Sequence, residues 1–227
     1  GVLFFELPRV IQMCQPRALL LENVPHLLEI DHAWKTVETT LHEIGYTFVH
    51  KKVINAKHVV PQSRSRLYIV AFRQKPPVDF TFPDLEETGA STSFREYTFP
   101  VVRDILESDN CGREFEDGDD YVLSDSLWNK VQAHNSFRGK HDEKFTSRLV
   151  QLPGSARTLI GQYRNVASTG QSQFVPVANS TKPRYFTPRE CARLQGFPES
   201  FTFDKIGGHA GKTIYKQFGN AVVPPII

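Results

Sequence analysis

The chain has 227 residues, 40% of them hydrophobic, and a net charge of +2. That is enough apolar material for one domain or a domain plus a lobe, and too little excess charge to signal nucleic-acid binding by itself. No apolar run is long enough to span a membrane, the first ten residues lack the basic start of a secretory signal, and three widely spaced cysteines, Cys14, Cys111 and Cys191, suit reduced intracellular thiols better than a disulfide framework or a metal site.

Phe4, Phe5, Leu7, Val10, Ile11 and Met13 recur at helical spacing, and the helix keeps its register if Pro8 lies in its first turn. Arg17 to Leu21 then runs apolar, straight into Glu22, Asn23, Val24 and Pro25. This predicts a short buried strand ending in a functional loop. Ligands of open α/β sheets bind at the carboxyl ends of strands, so Glu22 is placed to act as an acid or base; a capping carboxylate is the plain alternative.

From Ala33 to Ile44, the residues Trp34, Val37, Leu41 and Ile44 share one helical face, and Gly45 ends the helix. Tyr46 to Ile54 and Leu67 to Phe72 read as strands, with Pro61 in the link. Arg64 and Arg66, two apart, are expected on one side of the second of these. Strand, helix, strand, strand with short links is half of a doubly wound α/β domain.

After Arg73 the texture changes. Pro76, Pro77, Pro83 and Pro100 interrupt any helical period, and Asp104 to Asp120 holds eight acidic residues against one arginine, as loops with a solvated acidic face would. The balance then reverses. Lys130, Arg138, Lys140, Lys144, Arg148, Arg157 and Arg164 face only Asp142 and Glu143, with Trp128, Phe137, Phe145 and Tyr163 interleaved. That pattern suits phosphate contacts with base or sugar packing, or a solvated basic surface. Thr187-Pro188-Arg189-Glu190 is a helix start with a capping box, closed by Gly196, Phe197 and Pro198; its role is architectural. If the segment around Gly219 is helical, that glycine marks a close backbone approach to something bound.

The Glu22-Asn23-Val24 loop, the Gln62-Ser63-Arg64-Ser65-Arg66 stretch and the Gly219-Asn220-Ala221-Val222 segment resemble, in order, blocks of the C5-cytosine DNA methyltransferases. Gly1-Val2-Leu3-Phe4-Phe5 and the ten residues from Arg184 to Arg193 add two more. Five blocks in order are far more specific than one.

The resemblance implies an α/β, doubly wound, Rossmann-like S-adenosylmethionine-dependent methyltransferase fold, incomplete here, with a smaller irregular target recognition lobe. Residues 1–74 would be the second half of the catalytic domain, 75–180 the lobe, and 181–227 the return to the catalytic domain. The implied reaction moves a methyl group from S-adenosylmethionine to C5 of a cytosine flipped out of double-stranded DNA. Glu22 would contact ring N3, holding or sharing a proton there. Arg64 and Arg66 would meet the cytosine oxygen and neighbouring anionic groups, with Arg66 at the base, and Asn23 would shape the loop. Leu3, Asn220, Ala221 and Val222 match cofactor-contacting positions. Arg157, Thr158 and Leu159, followed by Gln162 and Arg164, are expected near the DNA. No metal enters the scheme.

Two family blocks, the cofactor-cradling glycine loop and the Pro-Cys loop with the nucleophile, have no counterpart here. Both are expected upstream of Gly1, on an N-terminal segment or a partner chain, which makes this chain the C-terminal two-thirds of an intracellular, DNA-associated enzyme, of which restriction-modification methyltransferases are one kind. Cys14 and Cys191 are read as packed thiols. A half of a split enzyme, a non-catalytic DNA-binding relative and a tRNA methyltransferase are the alternatives. Intact Glu22, Arg64 and Arg66 speak against a binding-only role, and the long lobe favours DNA.

Overall fold

The computed structural model describes residues 2–85, 100–107, 121–141, 148–165, 172–203 and 210–227. Cys111, Lys144, Phe145 and most of the acidic run lie outside the described residues. The chain divides into two compact units: Gly1–Asn55 with Ser65–Ser93, and Ala56–Arg64 with Phe94–Ile227.

In the first unit, helix α1 (Val2–Cys14) contains Pro8 in its interior, beyond the first turn in which it was expected. Proline forfeits one helical hydrogen bond, yet the helix continues, and its buried Ile11 and half-buried Leu7 pack into the unit's core. Strand β1 (Ala18–Asn23) is followed by a short 3-10 turn and helix α2 (Ala33–Glu43). The periodic face of α2 is the buried one, with Val37 and Leu41 inside and Trp34 and Ile44 packed against them. Gly45, at φ +95°, ends it. Its N–H donates to His42 O and that of Tyr46 to Leu41 O, the pair of bonds that satisfies the last free carbonyls of a helix with a left-handed C′ residue.

Strand β2 (Phe48–Asn55) follows; β3 (Gln62–Ser63) belongs to the second unit, and β4 (Ser65–Phe72) returns to the first. The sheet order is β1-β4-β2, with β4 antiparallel to both neighbours. β1 extends through Glu22 and Asn23, opposite Tyr68 and Leu67, so Glu22 sits on the strand rather than in the loop after it. Nor is β1 buried: its residues are half-buried or exposed, and Leu20 is 46% exposed.

The second unit carries α3 (Asp125–His141), β5 (Ala156–Arg157), α4 (Pro188–Leu194) and α5 (Ala210–Asn220). β3 and β5 pair in parallel, Gln62 beside Ala156 and Ser63 beside Arg157. A single core joins Tyr121, Val150, Leu159 and Phe174 to Phe186, Leu194, Tyr215 and Phe218, so residues on both sides of position 180 stabilise one another. The capping box of α4 forms as expected: Thr187 Oγ1 accepts from Glu190 N–H and Glu190 accepts from Thr187 N–H. The same carboxylate takes both terminal nitrogens of Arg184 at 2.7 Å and the N–H of Glu107 at 2.9 Å. Arg184 and Glu190 are 2% and 0% exposed.

Candidate active site

Glu22 and Arg66 form the one ion pair that joins β1 to β4 among the described residues. They lie diagonally across the ladder, Arg66 two positions along β4 from Tyr68, the residue opposite Glu22, where long side chains on one face can meet. Arg66 Nε lies 2.9 Å from Glu22 Oε1, the two side chains are 15% and 25% exposed, and Arg66 Nη1 donates to Ser65 O at 2.8 Å. The pair is thus sheltered yet reachable, and its guanidinium is held at two points. Asn23 follows on the same strand, exposed, its Oδ1 accepting the N–H of Val24 at 2.8 Å; the side chain clasps the exit of β1.

Arg64 differs from Arg66. It lies between β3 and β4, is only 2% exposed, and its guanidinium donates to main-chain carbonyls: Leu159 O at 3.0 Å, Gly219 O at 3.2 Å and Ala221 O at 2.8 Å. The expected placement of both arginines on one side of a strand therefore does not hold. A guanidinium spent on carbonyls inside the protein is also poorly suited to meeting a base or an anion. Gln62, which the sequence placed in the Gln62–Arg66 block without a role of its own, is fully buried and works alike: its amide donates to Leu194 O at 2.9 Å and accepts Leu159 N–H at 2.7 Å.

Residues 157–164 run beside Gln62, Ser63 and Arg64 within the second unit. Arg157 and Thr158 are half-buried; Arg157 N–H donates to Gln173 Oε1 and Thr158 Oγ1 to Ser63 O, each at 2.8 Å. Leu159 is 4% exposed and faces the core, which turns its side chain away from any ligand. Gln162 is exposed. Arg164, at φ +64°, sits over the rings of Tyr121, Tyr185 and Tyr215 at 4.9, 5.8 and 5.8 Å. Tyr163, expected among the base-packing aromatics, is buried; its hydroxyl donates to Gln173 O and accepts Phe186 N–H, and burial pushes its pKa well up. Of the basic residues of α3, Lys130 and Lys140 are exposed, whereas Arg148 further on is 7% exposed.

Asn220 ends α5 exposed, Ala221 is half-buried and Val222 is 39% exposed. Gly219 does mark a close approach, but to protein: a Cβ there would overlap the backbone of Ile160 and Gly161. Leu3 belongs to α1, and its side chain lies outside the described residues. Cys14 is exposed rather than packed, because α1 ends there on its solvent side. Cys191 is fully buried; burial first, and Glu190 second, push its thiol well above the usual range. Among the described residues, no helix is long and apolar enough to cross a membrane and no group of acidic, His and Cys side chains is placed to hold a metal.

The fold is that of known methyltransferases. The structure of the Schizosaccharomyces pombe Dnmt2 methyltransferase superposes with a TM-score of 0.65 over 93% of this chain and 62% of that one, at 22% identity. The Entamoeba histolytica methyltransferase EhMeth gives 0.58 over 92% and 59%, at 21% identity. At this identity the likeness speaks for the fold alone: an α/β S-adenosylmethionine-dependent methyltransferase fold, incomplete here. In sequence, the type II methyltransferase M1.ScrFI of Lactococcus lactis subsp. cremoris is 35% identical over all of this chain and 54% of its own length. The type II methyltransferase M.SsoII of Shigella sonnei is 35% identical over all of this chain and 55% of its own. The chain thus spans about half the length of these curated relatives. The family model described as C-5 cytosine-specific DNA methylase matches residues 1–227, and the chain belongs to that family.

Proposed function

We propose that this chain carries the base-holding and target-contacting part of a DNA (cytosine-5)-methyltransferase, which moves a methyl group from S-adenosylmethionine to C5 of a cytosine flipped from duplex DNA. The observation that carries the reading is the sheltered Glu22–Arg66 pair at the carboxyl end of β1.

Cytosine C5 is a poor nucleophile until a thiolate adds to C6. That addition forms an S–C6 bond and pushes the C5=C6 electrons toward C5 and around the ring to N3 and O2. Glu22 is assigned to N3, where it holds or shares the proton, and Arg66 to O2, where its positive charge meets the developing negative charge. Donors fixed before the reaction stabilise such charge most, because nothing has to reorganise. Once C5 carries the methyl group, a base takes the remaining C5 proton, the C–H electrons re-form C5=C6, and the sulfur leaves C6 as a thiolate. Asn23 keeps the exit of β1 in shape around the base.

The residues assigned to the cofactor suit it. Asn220 offers an exposed amide, and Ala221 and Val222 offer small apolar surface, as an adenosyl or methionyl moiety requires; Leu3 joins them in the assignment. S-adenosylmethionine, when bound, supplies an electrophilic methyl group. For DNA, Arg157, Thr158, Gln162 and Arg164 are assigned to the target side, with Leu159 supporting them from the core, and Lys130 and Lys140 to phosphates. The thiolate is assigned to neither described cysteine. Cys191 is buried with its thiol pushed up, and Cys14 is exposed at the end of α1, with no wall of side chains among the described residues to enclose a base. A segment of the same polypeptide, or a partner chain, would supply it.

The test is transfer of labelled methyl from S-adenosylmethionine to duplex DNA, with tRNA in parallel, by the chain together with the segment or partner that supplies the thiolate. Label at C5 of DNA cytosine, lost in Glu22→Gln, is expected. Label in tRNA alone, or at cytosine N4 or adenine N6, refutes the assignment. Transfer by the 227 residues alone that Cys14→Ser abolishes would move the nucleophile to Cys14.

A further inference from the structure

We infer that Arg64 is a positioning residue that locks the target-side turn and the cofactor-side segment into one element, so that neither opens without the other. The inference rests on the reading above for what the two segments bind, but the lock itself is a property of the fold.

Three contacts compose it, all within the second unit. Arg64 donates to Leu159 O on the turn and to Gly219 O and Ala221 O at the end of α5. Gly219 lies against the Ile160–Gly161 backbone too closely for any side chain, and a Cβ on Gly161 would stand 2.9 Å from Asn220 Oδ1. Below them, Gln62 accepts Leu159 N–H while donating to Leu194 O. A planar guanidinium reaches carbonyls in divergent directions from one rigid fork, which a lysine ammonium on a flexible stem does not. With a buried charge serving both segments, losing it leaves carbonyls unpaired on each side. Two segments that share one ordering step are coupled thermodynamically: a ligand that orders one lowers the cost of ordering the other.

Amide hydrogen exchange, read separately over residues 157–163 and 218–222, tests this without recourse to activity. Arg64→Lys is expected to speed exchange in both segments by at least about tenfold, the equivalent of one lost charged hydrogen bond, while β4 and α2 exchange as before. Gly161→Ala displaces only the flexible Asn220 amide and is expected to speed both segments by a smaller factor. It serves as the primary variant if Arg64→Lys does not fold. Acceleration in one segment alone, or equal acceleration throughout the α4 and α5 core, would refute the lock. S-adenosylmethionine added to the variant is then expected to restore protection in both segments. Protection of 218–222 alone also overturns the coupling. If the variants loosen both segments but S-adenosylmethionine protects neither, the lock stands and the functional assignment of the segments fails.

Discussion

Replacing Glu190 by glutamine keeps the side chain's shape and takes one charge out of a site from which water is excluded. The carboxylate accepts four hydrogen bonds at 2.7 to 2.9 Å, two from Arg184, one from Thr187 N–H and one from Glu107 N–H. The amide of glutamine turns one acceptor into a donor, which then faces another donor whichever way it is rotated. Removing one partner of a buried pair costs about 3–5 kcal/mol, because the other charge stays behind uncompensated. At about 2–4 °C of melting temperature per kcal/mol for a chain of this size, Glu190→Gln should melt roughly 6–20 °C lower by calorimetry or circular dichroism. The double variant Arg184→Met, Glu190→Leu, which removes both charges and keeps apolar bulk, should be less damaged than either single change. A Glu190→Gln protein within about 1 kcal/mol of the parent would show that the pair is not buried in solution, and the reasoning would fall.

Glu22→Gln should lower methyl transfer by about 10²–10⁴-fold, the usual worth of a positioned acid or base, with DNA affinity in a gel-shift assay little changed; normal turnover would remove Glu22 from the chemistry. Lys130→Ala with Lys140→Ala should reduce the slope of log affinity against log salt by up to about 2, one contact each, and an unchanged slope would mean that both residues face only solvent. In the native protein a maleimide should label Cys14 quickly and Cys191 only after unfolding, as read by peptide mass mapping; equal labelling would contradict the burial of Cys191. Burial raises the folded pKa of Tyr163, Tyr215 and Tyr185. Their contribution is therefore complete below the unfolded tyrosine value of about 10 and lost as pH rises from there through the raised folded values. The melting temperature should fall steeply above pH 10, with tyrosinate absorbance appearing together with unfolding.

What could be read from sequence was local. The spacing of Val37 and Leu41 and the stop at Gly45 define α2 because helix period and a left-handed C′ residue are decided within a few positions. The Thr187 capping box is equally local. What escaped depends on partners distant in sequence. Arg64 and Arg66 look equivalent in a row, but Arg64 finds its acceptors 95 to 157 positions away, whereas Arg66 finds Glu22 across the sheet. Gly219 announced a close approach correctly, and only the fold reveals that the neighbour is Gly161 rather than a ligand. Arg184, three residues before Thr187, gives no sign that it shares the capping glutamate. Cys14 escaped because an apolar helix face does not say how far its last turn projects.

Ala56–Arg64 is a nine-residue excursion: the polypeptide leaves the first unit after Asn55, lends Gln62 and Arg64 to the second, and returns at Ser65. Modularity follows a different boundary from the one a linear map suggests. A chimera that exchanged residues 75–180 with a relative would keep the host's Gln62 and Arg64 but replace Leu159 and the turn they grip. Exchanges that carry Ala56–Arg64 along with the foreign segment should therefore graft more cleanly than exchanges cut at a single point.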